Sequence, residues 1–172
     1  MLERLPVPSL SEAGIAVMHQ LSVSGERPAV LLRAVQSGTV PSSDLPELIA
    51  FAWTRDDSPT SGVSQAAWIE VFERAGFFTY PPVNTGRPAS PLTLYRGSTA
   101  ERSTRMSWTA DRNMAVELGA RHTRYGRTWL YEATVRPDAV LAYLERRGEG
   151  WTVIINPAGL FQSKRQEELL PR

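Results

Sequence analysis

Hydrophobic residues recur every three to four positions through much of the first half of the chain, which predicts amphipathic helices. Residues 44–56 show the pattern most clearly, with Asp44 at the N-cap and Pro46 in the first turn. The apolar stripe of this helix consists of Leu45, Leu48, Ile49, Ala52 and Trp53. A second clear helix covers residues 64–76, which Ser64 caps and Gly76 ends. Its stripe consists of Ala67, Trp68, Val71 and Phe72.

Two weaker helices precede these. Ser9 or Ser11 caps a helix through residues 11–22. Its apolar face is predicted to hold Ile15, Met18 and either His19 or Leu21. A shorter helix is predicted in residues 28–38, where Gly38 ends it.

The pattern changes after residues 81–91, which contain four prolines and one glycine and are therefore predicted to be a linker. Beyond it, short alternating segments predict strands at 92–97, 107–109, 128–135 and 151–155. A helix is predicted at 111–121, beginning at Asp111. Residues 139–144 are predicted to form a strand or a short helix. The fold class is therefore α+β. We expect a helical subdomain at 1–80, the linker at 81–91, a β-core at 92–162 and a charged, loose tail at 163–172.

Composition narrows the classes of function. The chain has 42% hydrophobic residues and no cysteine, so it is globular and has no thiol nucleophile and no thiolate metal site. A net charge of +1 provides no field for a nucleic acid or an anionic membrane. The two histidines, His19 and His122, are far apart, so no metal site is expected. The first ten residues lack the apolar run of a signal peptide, and no membrane span is evident, so we expect a cytoplasmic protein.

The order of three short motifs resembles the R-S-E group of ADP-ribosyltransferases. A strand ending in Tyr95, Arg96 and Gly97 precedes Ser107-Trp108-Thr109, and Glu149 precedes the apolar strand that ends at residues 156–157. This resemblance covers about residues 90–162. It implies a helical N-terminal subdomain packed on an ADP-ribosyltransferase-like split β-core, with NAD as the substrate and a protein as acceptor or binding partner.

The resemblance also implies residue roles. Arg96 would hold the NAD phosphates, since a guanidinium offers them planar, bidentate donors. Gly97 would let the ligand approach the backbone. Ser107 would orient the catalytic glutamate, and Trp108 and Thr109 would line the nicotinamide pocket, although Trp108 stands where the family often has a hydroxyl residue. Three structural alternatives remain open: Arg96 as a surface ion-pair residue, Thr109 or Asp111 as a helix cap, and Trp129 and Tyr131 as core residues.

The glutamate nearest to the expected catalytic position does not stand at that position in the sequence. A carboxylate is needed to stabilise the oxocarbenium-like transition state, and the family places it where this chain has Thr152. Glu149 lies three residues earlier. Either the loop bulges and Glu149 acts, with Arg96 and Ser107, as the catalytic group, or the carboxylate is lost and the fold serves as a protein-interaction module. His122 is predicted to be a solvated loop residue.

Overall fold

The structure, a computed structural model, describes residues 3–55, 59–60, 62–146 and 150–170. The chain forms two compact units, Met1–Gly86 and Arg87–Arg172. Helices fill the first unit, and antiparallel strands with one helix make up most of the second, so the fold is α+β as predicted. The boundary between the units falls within the proline-rich segment 81–91.

The predicted helices of the N-terminal unit are all present. They are α1 (Glu12–Val23), α2 (Arg27–Gln36), α3 (Leu45–Thr54) and α4 (Gln65–Ala75), and a short strand, β1 (Phe78–Tyr80), follows them. The side chain of Ser11 caps α1 by accepting from the Gly14 amide, and that of Ser64 caps α4 by accepting from the Ala67 amide. Gly76 follows α4 with a φ of 72°, a left-handed conformation that favours glycine.

The core of this unit is aromatic. The Trp53 and Trp68 rings meet edge to face with centroids 4.9 Å apart, and Phe72 lies against both. Trp68 is 1% exposed, which confirms the predicted packing of the α3 and α4 stripes. The predicted face of α1 is wrong at Ile15, which is 60% exposed. The prediction is right at Leu21, which is buried, and Gly14 and Val17 face inward beside it in place of Ile15.

Asp44 does not cap α3, contrary to the sequence prediction. A 3-10 turn, Ser42–Asp44, runs directly into the helix, and the Asp44 backbone is already helical. Its carboxylate turns away and accepts hydrogen bonds from the Ser11 amide (3.2 Å) and the Ser11 hydroxyl (2.5 Å). Asp44 therefore ties the start of α1 to the start of α3, and only a residue without a side chain fits at Gly14 beside it.

The C-terminal unit contains two antiparallel sheets and one helix. Its elements are β2 (Leu92–Ser98), β3 (Ser107–Trp108), α5 (Arg112–His122), β4 (Thr128–Val135), β5 (Val140–Arg146), β6 (Gly150–Ile155) and β7 (Leu160–Leu169). One sheet has the strand order β5-β6-β3, and the other has the order β2-β4-β7. Helix α5 begins at Asp111, which accepts from the amides of Asn113 and Met114 as predicted. Ala115 on α5 packs with Leu130 and Leu169 in the core.

The C-terminal segment is a strand, so the prediction of a loose tail was wrong. β7 pairs with β4 along its length, from Val135 and Leu160 to Thr128 and Leu169. Hydrophobic alternation could not reveal it, because nearly all of its side chains are exposed. Backbone hydrogen bonds and cross-strand ion pairs hold it instead, such as Arg127 with Glu168 at 2.7 Å and Lys164 with Glu132 at 3.0 Å. The β-core therefore extends past residue 162.

No helix within the described ranges is long and apolar enough to cross a membrane.

Candidate functional site

The candidate site is the opening where the two sheets of the C-terminal unit part. β3 pairs with β6 through Ser107–Ile154 and Trp108–Val153. The next residue, Thr109, exchanges two backbone hydrogen bonds with Tyr95 of β2, at 2.7 and 3.0 Å. β3 thus stands between the two sheets and joins them through the Tyr95–Thr109 bridge. In the same register Ser107 would face Gly97, but among the described residues β2 and β3 form no ladder there.

Arg96 occupies this split. Its Nε donates to the Arg102 carbonyl oxygen at 2.9 Å, and its Nη1 donates to the Ser107 carbonyl oxygen. The Arg96 guanidinium therefore takes the place of a backbone amide: it donates to the Ser107 carbonyl oxygen, which a longer β2–β3 ladder would have paired. The fork thus donates to two backbone carbonyl oxygens, those of Arg102 and Ser107.

The surroundings of Arg96 are cationic. Burial, and then repulsion from Arg105 and Arg102, lower the pKa of Arg96 to about 10. The guanidinium is still charged at neutral pH, but its neighbours oppose that charge. An anion placed against Arg96 would relieve the repulsion, so the electrostatics of the split favour a negatively charged ligand.

His122 belongs to this site, and its prediction as a solvated loop residue was wrong. It is the last residue of α5 and is partly buried, because the helix runs one residue further than the sequence pattern indicated. It forms a hydrogen bond with the backbone of Gly97, at the point where β2 leaves β3. Burial lowers its pKa and outweighs that hydrogen bond, which raises it, and the charges of Arg96, Arg102 and Arg124 lower it further. His122 is therefore a neutral group that a bound anion would help to protonate.

Tyr125 lies beside these groups and is 59% exposed. The guanidinium carbons of Arg124 and Arg102 lie 4.7 and 5.7 Å from its ring centre, and the His122 ring lies 6.3 Å from it. A planar base can stack on such an exposed ring. We call Arg96, Arg102, Arg105, His122, Arg124 and Tyr125 the Arg96 cluster.

Gly97 has a different role from the one predicted. A Cβ atom at Gly97 would meet the Ala115 carbonyl oxygen and lie 2.6 Å from the Gly119 Cα atom, both in α5. The space that its missing side chain leaves is filled by the helix and not by a ligand. Gly97 permits close packing of β2 against α5.

The Ser107-Trp108-Thr109 motif is partly structural. Trp108 is 2% exposed, and its indole nitrogen donates to the Arg105 carbonyl oxygen at 2.8 Å, so its ring offers no face to a ligand. The Thr109 hydroxyl accepts from the Asp111 amide at 3.0 Å and supports the start of α5. Only the Ser107 hydroxyl, partly exposed, lacks a partner among the described residues.

Glu149 lies outside the described residues, so its position relative to Arg96 stays a prediction. Thr152 follows directly in register from the Trp108–Val153 pair and would face Thr109. It is buried, at 8% exposure. The β3–β6 pairing thus brings the expected glutamate position next to the motif strand, but with a hydroxyl in place of a carboxylate.

A sequence signal for the Arg96 cluster exists. The stretch from Arg96 to Arg127 carries seven arginines against three acidic residues, within a chain whose net charge is only +1. The net charge of the whole chain hides this local excess of positive charge. In the described parts of the chain, no group of three or more His, Asp or Glu residues gathers as a metal site.

No protein-family model, curated protein or solved structure matches the chain.

Proposed function

We propose that the C-terminal unit binds NAD at the Arg96 cluster and cleaves its nicotinamide–ribose bond, passing ADP-ribose to a protein or to water. The observation that carries this proposal is the gathering of guanidinium groups around Arg96, where Arg105 and Arg102 both lower the pKa of Arg96. A pyrophosphate matches both the charge and the planar geometry of the Arg96 fork. The exposed Tyr125 ring provides a surface on which the adenine can stack.

The arrangement of strands supports the same proposal. Arg96, Ser107 and the β6 strand meet at one opening because β3 lies between β2 and β6. The ADP-ribosyltransferase resemblance requires this convergence of an arginine strand, a hydroxyl strand and a glutamate strand. Ser107 and Glu149 would then order and stabilise the ribose as positive charge develops on it.

A second candidate is an interaction module that binds NAD or a partner without turnover. The buried Thr152 favours it, since the register puts a hydroxyl where the transition state requires a carboxylate. The two candidates differ in whether the bound ligand is turned over.

Calorimetry with NAD tests the binding step. We expect Arg96→Lys to weaken binding by about tenfold or more, because an ammonium keeps the charge but cannot form the bidentate fork. Arg136→Lys is the matched control, since Arg136 is an exposed residue that pairs with Asp138 outside the cluster. Arg124→Gln removes a peripheral charge and should also weaken binding, in case Arg96→Lys disturbs the strands. Absence of NAD binding by the wild-type protein would rule out the proposal.

Glu149→Gln tests the chemical step. The substitution keeps size and hydrogen-bonding reach, so it should lower NAD turnover by about 10²- to 10⁴-fold if the carboxylate acts in the transition state. Binding without turnover in the wild type would favour the interaction module. In that case, activity gained by Thr152→Glu would show that only the carboxylate is missing.

A further inference from the structure

A cavity whose chemistry is opposite to that of the Arg96 cluster lies within the N-terminal unit. It has a volume of about 290 Å³ and lies between residues 7–10, the start of α3 and residues 77–85. Its wall is mainly apolar, and Phe77, Phe78 and Val83 contribute to it. A volume near 300 Å³ is at the lower end of the range for small-molecule sites, so the cavity fits one small ligand and no long peptide.

The charged groups that line this cavity are acidic. Asp44 and Glu47 line it together with Tyr80, and among the described residues no lysine, arginine or histidine does. The Asp44 carboxylate is already engaged by Ser11, so it cannot turn freely towards a ligand. Glu47, one turn further along α3, is the carboxylate that remains for a ligand.

Glu47, like Arg96, lies beside a group that carries the same sign of charge. Burial and the neighbouring Asp44 carboxylate both raise the pKa of Glu47, and no cation among the described residues offsets them. Burial, and then the charge of Glu47, raise the pKa of Tyr80. A cation placed between these groups would stabilise the ionised form of Glu47.

We propose that this cavity binds a small molecule that has an apolar body and one cationic group. The apolar body fills the space beside Phe77, Phe78 and Val83, and the cationic group donates to the Glu47 carboxylate. Neither the NAD site nor its chemistry takes part, because all of the lining residues belong to Met1–Gly86.

A series of three probes of one shape tests the proposal on the wild-type protein. Phenethylamine is cationic, phenethyl alcohol is its neutral isostere, and phenylacetate is anionic. Backbone-amide NMR titration should show saturable binding of phenethylamine, with shifts at the residues that line the cavity. We expect phenethyl alcohol to bind about tenfold more weakly and phenylacetate more weakly still, because only the amine forms a charge-assisted hydrogen bond.

Glu47→Gln should reduce phenethylamine affinity by about tenfold and leave that of phenethyl alcohol nearly unchanged. Glu70→Gln is the matched control, since Glu70 is exposed on α4 and does not line the cavity. Equal affinity for the amine and the alcohol would overturn the proposal. So would shifts confined to residues outside the cavity, or the absence of saturable binding by any probe.

Discussion

The two units of this chain carry opposite charge and opposite kinds of site. Met1–Gly86 contains five basic and nine acidic residues, a net charge of −4, and its cavity is apolar and acidic. Arg87–Arg172 contains 14 basic and nine acidic residues, a net charge of +5, and its sheets part around a cluster of cations. The near-neutral total therefore conceals two local fields of opposite sign. Net charge therefore indicates the charge of a ligand only when it is counted separately for each structural unit.

The units also differ in what holds them together. The N-terminal unit depends on large apolar side chains that meet in one aromatic cluster. The C-terminal unit depends on hydrogen-bonded strands, close glycine contacts and ion pairs along an exposed edge strand. Three predictions test this contrast, and they are given in order of decreasing expected effect.

The aromatic cluster should dominate the stability of the N-terminal unit. Trp68→Ala empties a fully buried site and leaves the Pro59 carbonyl oxygen without its indole donor, which lies at 2.7 Å. We expect a loss of about 3–5 kcal/mol in the free energy of unfolding, measured by urea denaturation. The control is Ile15→Ala, at a 60% exposed position of α1, which should change it by less than about 0.5 kcal/mol. Similar effects at both positions would contradict this account of the core.

The close contact of β2 with α5 should matter more for stability than for ligand access. Gly97→Ala places a methyl group against the α5 backbone and should cost about 1–3 kcal/mol in the free energy of unfolding. Gly86→Ala is the control, because a Cβ atom there meets nothing within 4 Å. If Gly97 instead admitted a ligand, Gly97→Ala would weaken NAD binding and leave stability unchanged. Calorimetry and denaturation on the same variant separate these outcomes.

The sequence predicted α4 well because signals for its two ends and for its buried face agreed. Ser64 and Gly76 marked the ends of α4, while Trp68 and Phe72 marked its buried face. Such local rules need no knowledge of the rest of the chain. The motif strands 92–97 and 107–109 were found for the same reason.

The remaining features depend on contacts between distant residues. β7 has no apolar alternation, so only its pairing with β4 makes it a strand. Asp44 fits the rule for a helix cap, but Ser11, 33 residues away, takes its carboxylate. His122 joins the site only because α5 packs on Gly97. Sequence patterns describe local preference, and these residues respond to tertiary structure instead.

The smallest predicted effect is the proton exchange that accompanies ligand binding, which should have opposite signs at the two sites. The pKa of His122 lies below its usual value of 6.5 in the folded protein, so the free energy of unfolding falls as the pH decreases below 6.5 through that window. Pyrophosphate bound at the Arg96 cluster would raise this pKa, so the protein should take up a fraction of a proton when it binds at acidic pH. At the acidic cavity the raised pKa of Glu47 should fall when phenethylamine binds, so a fraction of a proton should be released at acidic pH. Calorimetry in two buffers of different ionisation enthalpy measures the number of protons taken up with pyrophosphate and the number released with phenethylamine. The NMR resonance of His122 can be followed as well, with that of His19, which belongs to the other unit, as the reference signal. Uptake with the anion and release with the amine would support the two opposite fields, whereas the same sign for both ligands would contradict them, because an anion raises the pKa of a nearby histidine and a cation lowers that of a nearby carboxyl group.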